Sequence, residues 1–162
     1  MASINVSCRL EPDGLFRRDG KRVDGITNTP WNKGRALVWD ATCTDTFAKS
    51  YFNGKPGNAS RTAIKKKHHL YEEIEQNYTF VAFAVETSGR LGPEAEAFLT
   101  NMIKYVQETG RLARDPEFHI QRFRDIMWKI IARGNAQCFI DFNRSARYGQ
   151  ITPTSSQQST QR

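Results

Sequence analysis

Asp40 is the single acidic residue in an otherwise apolar run, Ala36-Leu-Val-Trp-Asp-Ala-Thr-Cys43. Burying a carboxylate is costly unless a metal ion, an Arg or a Lys meets it. Two other stretches carry groups of the right kind. Leu10-Glu-Pro-Asp-Gly14 offers Asp13, and Ile64-Lys-Lys-Lys-His-His-Leu-Tyr71 offers a lysine among Lys65, Lys66 and Lys67. Two carboxylates and an ammonium at one place make a site for a divalent cation, and the expectation is that Asp13, Asp40 and one of these lysines converge. Plainer readings stand beside it. Asp13 precedes Gly14 as turn residues do, Asp40 has Arg35 and Lys33 as ion-pair candidates, and a lysine run usually faces solvent. Glu86 closes an apolar stretch, either as a further metal ligand or as the residue that meets water. His68 and His69 are adjacent, so on a helix they diverge and make a poor chelating pair.

These residues need elements to hold them. Ala36 to Cys43 reads as a buried strand in which Val38, Asp40 and Thr42 share one face. Ser3 to Leu10 alternates as a strand, and Pro12 and Gly14 mark a turn. Residues 17–34, rich in Gly, Arg, Lys, Asp and Asn, read as a basic loop or hairpin, with Trp31 as the anchor that packs it to the body. Thr44 to Phe52 reads as a short helix. Ser60 reads as the N-cap of a helix from Arg61 to Glu75 with Ile64, Leu70, Tyr71 and Ile74 inward. Thr79 to Thr87 is apolar enough for a strand covered on both faces. Pro93 begins a helix that Gly110 ends, and a second runs from Pro116 to Arg133 or on to Phe142. Alternating strands and helices give an α/β class with a mixed central sheet flanked by helices. The expected domain is 1–143, followed by a polar, flexible tail over 144–162.

The chain has 162 residues, with 24 Lys+Arg against 17 Asp+Glu for a net charge of +7. Such an excess suits anionic partners, nucleic acid before acidic membrane surface. Cys8, Cys43 and Cys138 have neither disulfide-framework nor zinc spacing, which points to a reducing, intracellular setting. No apolar run is long enough to span a bilayer, so no membrane partner is expected. The basic segment Arg61 to Lys67 has the look of a nuclear-import patch.

In order along the chain, Pro12-Asp13 and Asp40-Ala-Thr42 resemble the PD-(D/E)xK, or restriction-endonuclease-like, nuclease superfamily, with Thr42 where the triplet has lysine. Lys67-His-His-Leu-Tyr71 is similar to the K-x-x-K-Y pattern on the next helix of the endonuclease domain of site-specific non-LTR retrotransposons, with Leu70 in place of the second lysine. Pro12-Asp-Gly-Leu15, Pro30-Trp-Asn-Lys-Gly-Arg35, Leu37 to Ala48, Phe83-Ala-Val-Glu-Thr87 and Arg133-Gly-Asn-Ala136 look like blocks of uncharacterised retroelement-associated reading frames of invertebrates. The resemblance implies a restriction-endonuclease-like fold and metal-dependent cleavage of DNA, by a mobile element or a derivative of one. It selects Lys67 as the lysine, with Asp13 and Asp40 catalytic and Tyr71 supporting it one turn on. Magnesium or manganese is the implied cofactor, and Asp13, Asp40 and the Ala41 carbonyl form a set of hard oxygen ligands that suits it. Arg17, Arg18, Lys21, Arg22, Lys33, Arg35, Lys65 and Lys66 are the expected phosphate contacts. RNA as substrate and a homodimer as the assembly are left open, as are two other readings: a nuclease-like module that binds without cutting, and a basic structural or packaging protein.

Overall fold

The computed structural model describes residues 6–15, 20, 22–51, 54–109 and 115–148. Four strands form one mixed sheet in the order β1-β2-β3-β4. They are β1 (Cys8–Leu10), β2 (Gly25–Asn32), β3 (Arg35–Thr44) and β4 (Thr79–Glu86). The first three pair antiparallel in sequence, and β4 returns parallel to β3, as a helical crossover allows. That crossover is α1 (Asn58–Glu75), and α2 (Pro93–Thr109) and α3 (Pro116–Tyr148) follow.

Side-chain alternation along β4 shows that helices cover both faces. Phe80, Ala82 and Ala84 share a core with Ile64, Tyr71 and Ile74 of α1. Phe83, one step out of phase, turns its ring edge to Phe98 of α2 and Phe123 of α3 at 6.2 and 6.1 Å. A strand packed on both sides has no polar face to show, which is why β4 reads as a continuous apolar run. The class is thus α/β, with the sheet between helices.

Several sequence expectations change. The stretch read as a loop or hairpin contains β2, the first arm of a hairpin with β3, whose outer residues Asn28 and Thr29 are polar and exposed. Gly25 is required there, since a Cβ would lie 2.1 Å from the Trp39 ring that crosses it. The helix expected at 44–52 is instead a series of turns over the described residues. Asp45 Oδ1 accepts the Phe47 amide at 2.9 Å, a local bond that favours a turn over a helix. The helix α1 starts earlier than Ser60, entered through Gly57 at φ 83. Its α3 counterpart runs on to Tyr148, past the expected start of the tail at 144, and residues 149–162 lie outside the described part. Trp31 anchors as expected, stacking on Tyr105 at 4.6 Å. Among the described residues no helix is long and apolar enough to cross a membrane.

Candidate functional site

On the stripe of α1 that faces the sheet, a lysine stands among apolar residues. Ile64, Tyr71 and Ile74 are buried in the core, and Lys67 lies three residues after Ile64 and four before Tyr71, on the same side. The sheet beneath presents one acid. Asp40 in β3 is 4 % exposed, bracketed by β2 and β4, and its Oδ2 meets the Lys67 ammonium. That oxygen accepts no hydrogen bond among the described residues, so the lysine is its counterpart. The Lys67 side chain is itself only 16 % exposed.

Three contacts pin α1 so that Lys67 arrives there. At the N-terminal end, Ser60 donates its amide and its hydroxyl to Glu86 Oε1 at 3.0 and 2.9 Å. At the C-terminal end, Arg35 Nη1 donates to the Glu75 carbonyl at 3.4 Å. Between them, Tyr71 leaves helical geometry at φ −112, packs its ring 4.8 Å from Phe80, and donates its hydroxyl to the Arg22 carbonyl at 3.4 Å.

That last bond leads to a second carboxylate. Asp24, two residues on from Arg22, donates its amide to the Trp39 carbonyl at 3.1 Å, and its Oδ2 accepts the Ala41 amide at 2.6 Å. The register pairs Gly25 with Trp39 in antiparallel fashion, so one step further Asp24 stands opposite Asp40. The two residues are thus opposite one another in the register, with the Asp24 carboxylate turned onto the β3 backbone at Ala41. Sequence reasoning does not single out Asp24, which falls in the stretch that reads as a basic loop or hairpin. The available signal was Val23-Asp-Gly-Ile26, an acid at the mouth of a short β-forming stretch just before the central strand.

Asp13 is not a member of the group. Its side chain is 96 % exposed and pairs with Arg22 Nη1 at 3.1 Å, surroundings quite different from those of Asp40. No contact among the described residues brings it to Asp40 or Lys67, and the carboxylate that the register sets opposite Asp40 is Asp24. Arg22 is occupied by the same pair, and Arg35 by the end of α1. Lys33, at φ 49 in the β2–β3 turn, and Lys65 and Lys66 on α1 are exposed, while Arg17, Arg18 and Lys21 lie outside the described residues.

Glu86 neither meets water nor joins the acids. It is 1 % exposed, and its register partner is Thr44, four residues from Asp40 or about 13 Å along the strand. Tyr71 is buried at 1 % exposure, too deep for a phosphate contact, and acts as a brace. Thr42 is half-buried, two residues beyond Asp40 on the same face. In Arg133-Gly-Asn, Asn135 donates to the Thr87 carbonyl at 2.7 Å, tying α3 to the end of β4.

Among the described residues no group of three or more His, Cys, Asp and Glu gathers to hold a metal. Two carboxylates and a carbonyl are a smaller donor set, and they suit magnesium, which keeps several waters. Asp24 and Asp40 are the carboxylates that could serve in such a set. Ala41 sends its amide toward Asp24, and a strand residue turns its carbonyl to the same edge. Asp40 Oδ2 already meets the Lys67 ammonium, so a metal there would share this carboxylate with the lysine.

Compared with known proteins, the chain matches no family model, no curated protein and no solved structure.

Proposed function

We propose that this chain is a metal-dependent endonuclease of the restriction-endonuclease-like type that cleaves DNA, derived from a mobile element, with Asp24, Asp40 and Lys67 at its centre. The observation that carries the reading is the meeting of Lys67 with Asp40. A strand acid and a lysine from the following helix, expected together from motif order, come together across the sheet. The mixed sheet between helices agrees with the same family architecture.

Magnesium or manganese bound by Asp24, Asp40 and the Ala41 carbonyl would supply Lewis-acid stabilisation and a water of lowered pKa. The chain's own groups have separate tasks. Asp40 holds the Lys67 ammonium in place, and that ammonium is a preset cation for charge developing on a phosphate. Asp24 is oriented by the Ala41 amide. Lys65 and Lys66, exposed on the same helix, and the overall +7 charge attract the phosphate backbone.

Supercoiled plasmid incubated with the protein and magnesium or manganese tests this. Wild type converts it to nicked or linear DNA, and Asp40→Asn and Lys67→Met each slow conversion by about 100-fold or more. Equal cutting by wild type and both variants refutes the assignment. A second reading, binding without cutting, draws on Thr42 in the place of the triplet lysine. Its outcome is a gel shift that wild type gives without any nicking.

A further inference from the structure

We propose that His68 is the positioning residue of this centre: its imidazolium, clamped between Glu75 and Glu94, fixes the seating of α1 that delivers Lys67 to Asp40, so the lysine's placement depends on a proton. The inference rests on reading Asp40 and Lys67 as parts of one site. His68 follows Lys67 on α1 and points about a quarter-turn away, toward β4 and α2. Its Nδ1 lies 2.5 Å from Glu75 Oε1 and its Nε2 2.5 Å from Glu94 Oε1. A neutral imidazole has one N–H, so one of its nitrogens would turn a lone pair on a carboxylate. Only the doubly protonated ring donates to both.

The clamp reaches the sheet beside Asp40. Glu94, in the first turn of α2, uses its other oxygen to accept the Ala82 amide at 3.0 Å, and Ala82 is the register partner of Asp40. Glu94 thus connects the strand next to Asp40 with the helix that carries Lys67. Phe80 sets its ring perpendicular to that of His68 at 5.5 Å. Lys65, Lys66, Lys67, His69 and Glu72 are the other charged or titratable groups within about a turn on α1, and Arg35 of β3 bonds the Glu75 carbonyl. The one charge of β4, Glu86, is engaged at the opposite end of α1.

Burial lowers the affinity of the ring for its proton, but the hydrogen bonds and charges of Glu94 and Glu75 outweigh it and raise the His68 pKa above the ordinary histidine value. Folding therefore favours the protonated ring. Its stabilisation is full below the ordinary value and is lost as pH rises through the raised one.

The test uses the full chain and His68→Gln, whose amide does not titrate. Thermal midpoints are followed from pH 5.5 to 9, together with acylation of Lys67, read by mass spectrometry against exposed Lys104. In wild type the midpoint falls and the Lys67/Lys104 ratio rises at least threefold over the same interval. In His68→Gln the ratio is high at pH 6 and flat. Glu94→Gln, which keeps an acceptor for Ala82, gives the same flattening and serves if the first variant does not fold. A wild-type ratio independent of pH, or a variant that keeps the wild-type profile, overturns the clamp. Neither readout requires cleavage, so a protein that cuts no DNA yet shows the profile retains the clamp and loses the nuclease reading.

Discussion

Asp40 holds Lys67 in surroundings nearly closed to water, and that sets what removing either one does. An Asp40→Ala variant leaves an ammonium with 16 % of its side chain exposed and no counter-ion. Breaking a buried pair from one side costs about 3 kcal/mol, less where the lysine stem swings its head to solvent. The variant is therefore expected to unfold at lower urea, while Asp40→Ala combined with Lys67→Met regains most of the loss. A single variant as stable as wild type would show that the pair contributes nothing to the fold. Asp40→Asn, which keeps a polar group facing Lys67, is therefore the better variant for activity.

The elements that deliver these residues differ in how visible they were. β3 and β4 were legible as apolar runs, and α1 by its periodic apolar stripe. β2 is legible only as one arm of a hairpin that a loop reading rivals, since Asn28 and Thr29 face water and Pro30 interrupts the pattern. Pro30 lies beyond the short pairing with β1, whose last register partner in that direction is Thr27, and proline is tolerated at such an edge. Asp24 was hidden for the same reason: only the register between β2 and β3 sets it opposite Asp40. Glu86 was misread because a strand's last acid normally meets solvent, whereas here the buried Ser60 amide at the start of α1 takes it as a cap. That cap comes from another element, with no side-chain cap bond at Gly57. Glu86→Ala leaves the Ser60 amide unpaired and is expected to cost about 1 to 3 kcal/mol in urea unfolding. An unchanged midpoint would mean that α1 is held by its other anchors alone.

At the scale of the molecule, the sheet gathers acids from two strands and the crossover helix lowers a cation onto one of them, while α2 reaches back through Glu94 to steady that helix. Exposed lysines on α1 and a net charge of +7 make the surroundings attractive to a polyanion. The central claim is that the Asp24 and Asp40 carboxylates belong to one cation site and the Asp13 carboxylate does not. Titration of manganese into the full chain, followed by electron paramagnetic resonance, tests this most directly. The account predicts a bound ion for wild type and Asp13→Asn, and none for Asp24→Asn or Asp40→Asn, with all four folded by circular dichroism. Binding that survives Asp24→Asn but is lost in Asp13→Asn, or no binding by wild type at all, would contradict it.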